Sequence, residues 1–185
     1  MRFHPHGWAA GPWQTHNKKL KDPEKIIHNL LPRAAHPGPK PGPVLFQLPP
    51  HWRVNRERLE NLLQILSRER ALCLRVSRAF VDELVDSLVK KFNATFCISE
   101  LAGYHSPLNI TADFAYVRLH GPEIGKYQGS YSEERLRAWA RQIETWAAKL
   151  KAVYVYSDND QAGYAAANAL TLKTMVFGTR VKKVV

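Results

Sequence analysis

Cysteine is scarce in this chain, with only Cys73 and Cys97 among 185 residues. Both sit inside apolar β-type runs, which suits reduced core residues and argues against a disulfide framework. Long hydrophobic runs are missing too. No stretch of 18 apolar residues occurs, and the start, Met1-Arg-Phe-His-Pro-His6, lacks the charged-then-apolar layout of a signal peptide. A cytoplasmic protein without membrane contact is expected, and the sequons at Asn93 and Asn109 then mean little. Also absent are a Gly-rich phosphate loop, a dinucleotide fingerprint, a Cys-x-x-Cys pair and a Gly-x-Ser-x-Gly elbow. The enzyme classes that announce themselves by motif are thereby removed, and no cofactor is named.

Acids are the next shortage: 16 against 27 lysines and arginines, a net charge of +11. Residues 1 to 70 hold 12 bases and 5 acids, or +7, so the first third is the basic part. Such an excess favours an anionic small molecule, nucleic acid or an acidic protein as partner. A solvated basic surface accounts for it equally, since the charges are scattered and only short runs such as Lys18-Lys19 occur. What the chain does have is apolar substance. At 45% hydrophobic over 185 residues it can bury one sizeable core, and its length suggests one domain.

Residues 1 to 14 show no period and read as an irregular segment. His4-Pro-His6 has no nearby carboxylate or thiol to complete a tetrahedral metal site. Asp22-Pro23-Glu24 opens a helix with the stripe Ile26, Ile27, Leu30, Leu31, which Pro32 ends. Residues 36 to 43 are proline and glycine punctuation. From there the pattern becomes regular. Residues 43–48, 71–75, 94–99, 113–119 and 152–156 read as strands. Helices follow with Leu59, Leu62, Leu63 and Leu66, with Val81 to Phe92, with Leu136, Trp139, Ile143 and Trp146, and from Ala162 to Leu172 behind an Asp160 cap.

Five nearly continuous apolar strands, most of them separated by a helix, predict a parallel sheet covered by helices. Polar residues fall at the carboxyl ends of successive strands: Gln47, Arg75, Glu100, Arg118 with His120, and Asp158 with Asn159. That distribution fits the mouth of a β/α barrel better than the single switch point of an open doubly wound sheet.

The run Asp113-Phe-Ala-Tyr-Val-Arg-Leu-His-Gly121 organises the chemistry. Alternation puts Arg118 and His120 on one strand face. Arg118 presents a planar fork of donors to a carboxylate or phosphate, with a structural ion pair to Glu100 or Asp158 as the alternative. His120 is placed to move a proton near neutral pH, and a hydrogen-bonded structural histidine is the alternative. Glu100 and Asp158, facing one pocket, would have their pKa values pushed apart for acid/base work. Two acids and a histidine are also a divalent-cation set in principle, but no compact ligand motif supports it and no metal is expected. Tyr127-Gln-Gly-Ser-Tyr131 reads as a lid or stacking loop, or simply as a helix entry.

The chain resembles the YecE-like family, the domain-of-unknown-function-72 proteins. The pieces that carry the resemblance are Gly42-Pro-Val-Leu-Phe-Gln-Leu-Pro-Pro50, the run from Thr111 to Gly121, Tyr127 to Tyr131, Trp139 with Ile143 and Trp146, and Val153-Tyr-Val-Tyr-Ser-Asp-Asn-Asp160 leading to Asn168-Ala169. Thr15-His-Asn-Lys-Lys-Leu20 also fits, so the likeness covers 15–176, leaving 177–185 as a basic C-terminal tail. It implies a TIM-type barrel of unestablished activity. It also implies that Gln47, Arg75, Arg118, His120, Tyr127, Asp158 and Asn159 line the family's pocket.

Two departures stand beside the match. Nothing before residue 15 resembles the family's usual first strands, so about five of eight strands are expected here. Around Arg75, Cys73 and Leu74 stand where the family usually has an acid and an aromatic. The readings this leaves are a truncated gene product, a mis-set start or a diverged, inactive member. A marginal chain is expected, prone to self-association through the exposed 43–48 edge or dependent on a partner or a longer native start. On the residues themselves, the leading expectation is an enzyme acting on an anionic or phosphorylated small molecule. It would use His120, Asp158 and Glu100 for catalysis and Arg118, Arg75, Gln47, Tyr127 and Asn159 for binding. A nucleic-acid-binding module is the rival, although no recognised motif supports it.

Overall fold

A computed structural model describes Glu24, His28 and residues 43–48, 55–66, 72–75, 81–123 and 127–178. These residues fall in two compact units, one within Trp8–Cys97 and Ile110–Ala112, the other within Ile98–Asn109 and Asp113–Val185. Of the helix expected after Asp22, only Glu24 and His28 are described, both helical and exposed. The rest of it, the irregular start and residues 179–185 of the C-terminal tail lie outside the described residues, while Phe177 of that tail ends the last helix and Gly178 caps it.

In the first unit, β1 (Val44–Gln47) and β2 (Leu72–Arg75) run parallel, with Val44 opposite Leu72 and Gln47 opposite Arg75. β2 pairs in parallel with the start of β3 (Thr95–Leu101) through Cys73 and Leu74. Helix α1 (Arg56–Leu66) opens where Asn55 Oδ1 accepts from Arg58 N at 3.0 Å, a side-chain cap on an otherwise orphaned donor. Its four leucines, 59, 62, 63 and 66, are fully buried, each gaining about 1.5–3 kcal/mol over exposure. Helix α2 (Glu83–Lys91) is capped by Asp82, whose carboxylate accepts from Val85 N at 2.9 Å. Both helices cover one core with Phe46, Leu72, Leu74, Val85 and Val89. Cys73 and Cys97 are buried and not joined in a disulfide.

In the second unit, the end of β3 turns back into β4 (Tyr104–His105), pairing Glu100 with His105 in antiparallel register. This stretch reads as a loop from the sequence. The turn uses Ala102 and Gly103, both with positive φ, the geometry of a tight hairpin, and an alanine there gives none of the usual Asn-Gly or Asp-Gly signal. β5 (Phe114–Leu119) and β6 (Ala152–Ser157) are parallel and fully paired, from Phe114 opposite Ala152 to Leu119 opposite Ser157. The hydrogen-bonded order β1-β2-β3-β5-β6 is sequence order, with β4 attached to β3.

Helix α3 (Glu133–Ala147) begins at Ser132, whose hydroxyl accepts from Arg135 N, and buries Leu136, Trp139, Ala140, Ile143 and Trp146. Helix α4 (Tyr164–Phe177) starts later than expected: its cap is Gly163, in a left-handed conformation without a side-chain bond, and not Asp160. The two helices pack on each other and on β6. The result is an α/β fold, a mainly parallel sheet flanked by helices, as in part of a TIM-type barrel.

Candidate functional site

Parallel pairing of β5 with β6 sets the site. Arg118 lies opposite Tyr156, and continuing that register by two residues brings His120 level with Asp158. Asp158 N donates to Leu119 O at 2.8 Å, so the ladder holds past the last formal strand residue. Alternation keeps Tyr116, Arg118 and His120 on one face, and the pairing of Tyr116 with the Tyr156 ring, 4.8 Å between centroids, fills the space beneath them. Ala115, Val117, Leu119, Val153 and Val155, the alternate set, are all buried.

One oxygen joins the guanidinium and the imidazole. Asp158 Oδ2 accepts from the Arg118 guanidinium and lies 3.0 Å from His120 Nδ1. His120 is completely buried, Arg118 nearly so, and Asp158 keeps 28% of its side chain exposed. Burial pushes the Asp158 carboxyl up, but the hydrogen bond from His120 and the charge of Arg118 outweigh it, and the net effect is a pKa below the usual carboxylate value. Asp158 is therefore an anion at neutral pH. Its Oδ2 lies against the imidazole on the Nδ1 side, a carboxylate–histidine neighbourhood of the kind that can prepare a histidine for proton transfer.

A loop borders this group. Gly121 ends β5 with φ 108°, and a Cβ there would lie 2.2 Å from Gln128 O, so only glycine fits. Gly121 N donates to the Tyr131 hydroxyl at 3.0 Å, and burial followed by the charge of Glu100 raises the Tyr131 pKa well above its ordinary value. Tyr127 holds its ring edge-on to the His120 ring, 5.2 Å between centroids and 88° apart. Asn159, fully buried, donates through Nδ2 to Gly129 O and to Asn168 Oδ1, both at 2.8 Å. Asn168 in turn accepts from Tyr131 N and donates to Ser130 Oγ.

Of the residues expected at the site, Arg118, His120, Asp158 and Tyr127 come together. Asn159 is adjacent, but its amide grips the 129–131 loop. Glu100, expected beside Asp158, meets α3 and β4 instead: Arg135 Nε donates to Oε1 at 2.9 Å, Trp139 Nε1 to Oε2 at 2.6 Å, and His105 Nε2 lies 3.6 Å from Oε1. Gln47 and Arg75 are register partners at the ends of β1 and β2, in the other compact unit. Sequence reasoning did not single out Asn168 and Arg135 as organising groups. Asn168 was detectable as a lone amide among alanines and leucines on a helix, a position that is normally buried and must then find partners. Among the described residues, no three His, Cys, Asp or Glu side chains gather closely enough to hold a metal ion.

The fold and this site define an α/β protein of barrel type with a histidine, an arginine and an aspartate at the carboxyl ends of neighbouring strands. A sequence profile described as "Protein of unknown function DUF72" matches residues 13–183, and the chain belongs to that family. A DUF72 family protein of Thermotoga maritima MSB8 is similar at TM-score 0.65 and 24% identity, over 84% of this chain and 64% of that one. A DUF72 family protein of Enterococcus faecalis V583 gives 0.62 at 15% identity, over 82% of this chain and 62% of that one. The chain thus spans less than two thirds of the length of these structures. No curated protein matches it. Among the described residues no helix is long and apolar enough to cross a membrane.

Proposed function

We propose that the chain is an enzyme of the DUF72 family that binds a small anionic or phosphorylated molecule at Arg118 and moves a proton with His120. The carrying observation is the shared Asp158 Oδ2, which fixes the guanidinium and the imidazole relative to each other. A guanidinium carries five donors in a planar fork that matches the oxygens of a carboxylate or phosphate, which is the chemistry an anion site needs. Asp158 keeps His120 oriented and supplies the charge that stabilises an imidazolium after it takes a proton. The net charge of +11 supports an anionic ligand through long-range attraction.

Calorimetric titration of the 185-residue chain with inorganic phosphate, sulfate and sugar phosphates tests the reading. Saturable binding that falls at least about tenfold in Arg118→Lys is expected, because a point charge cannot reproduce the fork. Binding that Arg118→Lys and Arg118→Ala leave unchanged would show that the anion, if bound, sits elsewhere.

A further inference from the structure

Tyr127 combines three features that the proposed chemistry does not use. Its side chain is 46% exposed, its ring edge rests against the fully buried His120, and its backbone has φ 64°, a region that residues other than glycine and asparagine seldom enter. Strained backbone beside a reactive group is an observation from which a functional role can be argued. The segment that follows is fastened at three successive positions. Gly129 O accepts from Asn159, Ser130 Oγ accepts from Asn168, and Tyr131 is held through both its N–H and its hydroxyl. Among the described residues the fastening begins two residues beyond Tyr127, whose ring reaches back to His120.

We propose that Tyr127 is a movable cover of His120 and that Asn159 is the positioning residue that sets where the cover rests, through its bond to Gly129. The inference rests on the reading of His120 as the proton carrier, and it adds the order of events: a ligand bound at Arg118 reaches His120 only after the Tyr127 ring moves aside. Asp158 and Asn159, consecutive at the end of β6, then act on one imidazole from two directions, the first directly and the second through the loop. Asn159 is suited to a purely mechanical role. Both of its described bonds are donated, and its Oδ1 is buried with no hydrogen-bond partner among the described residues.

The test is the rate at which diethyl pyrocarbonate modifies His120 in the full chain, mapped by peptide mass spectrometry, with the half-exposed His105 as internal reference. Tyr127→Ala should raise the His120 rate about tenfold or more relative to His105. Tyr127→Phe should leave it at the wild-type value, since the ring and not the hydroxyl makes the contact. Asn159→Ala should raise it with Tyr127 still present. Tyr127 is exposed, so its variants keep the test alive even if Asn159→Ala does not fold, and Asn159→Ser then replaces it. A His120 rate unmoved by Tyr127→Ala, or unmoved by loss of the Asn159 amide in a folded chain, overturns the proposal. Neither readout needs an anion, so failure of phosphate binding and failure of the cover are separate results.

Discussion

Trp139 donates its indole N–H to Glu100 Oε2 at 2.6 Å, tying the end of β3 to the middle of α3. With Arg135 on the other oxygen, both oxygens of the buried Glu100 side chain are held by α3. Replacing Glu100 by Ala leaves the buried indole N–H without its acceptor, at about 1–3 kcal/mol, and adds the cost of the space vacated, while the half-exposed Arg135 guanidinium can turn to water. Trp139→Phe leaves the carboxylate short of one donor and should cost about 1–3 kcal/mol beyond its packing loss. Urea unfolding of both variants checks the order: Glu100→Ala should be the more destabilised, and Asp158→Asn the least of the three.

The depressed pKa of Asp158 gives a pH dependence of defined sign. Because the folded value lies below the unfolded one, ionised Asp158 adds stability at any pH above the ordinary carboxylate value of about 4. That contribution drains away as the pH falls through the folded value. Unfolding free energies measured from pH 7 downward should therefore drop more steeply below about pH 4 in the wild type than in Asp158→Asn. Parallel curves would mean that the carboxylate is no better placed in the fold than in the unfolded chain.

Two glycines with positive φ make a matched pair. At Gly121 a Cβ would collide with Gln128 O, whereas at Gly103 nothing lies within 4 Å. Gly103→Ala should therefore show only the backbone penalty of about 1–2 kcal/mol, while Gly121→Ala adds a collision and should lose clearly more. Thermal unfolding midpoints of the two variants give the comparison, and equal shifts would contradict the close approach of β5 to the 127–131 loop.

Much of this was legible in the sequence, for physical reasons that differ by element. The buried faces of β5 and β6 and the leucines of α1 follow from hydrophobic period alone, and so does the sequence-order run of five principal strands. Arg118 and His120 share a face because strands alternate, and Asp158 follows from the parallel register. The direction of Glu100 was not legible. Its partners Arg135 and Trp139 lie 35 and 39 residues away, and only tertiary packing brings them together. The β4 hairpin was hidden because Ala102 adopts a conformation that alanine disfavours. The start of α4 at Gly163 was hidden because Asp160 is the stronger capping residue by type.

The measurement that tests the central claim most directly is an NMR titration of the His120 imidazole with inorganic phosphate, in the wild type and in Arg118→Lys. If Asp158 holds Arg118 and His120 in one anion site, the His120 signals shift saturably with phosphate in the wild type, and the shift weakens at least about tenfold in Arg118→Lys. His120 signals that ignore phosphate, sulfate and sugar phosphates in a folded chain would contradict the account, leaving the Arg118–Asp158–His120 group as a structural element of the barrel wall.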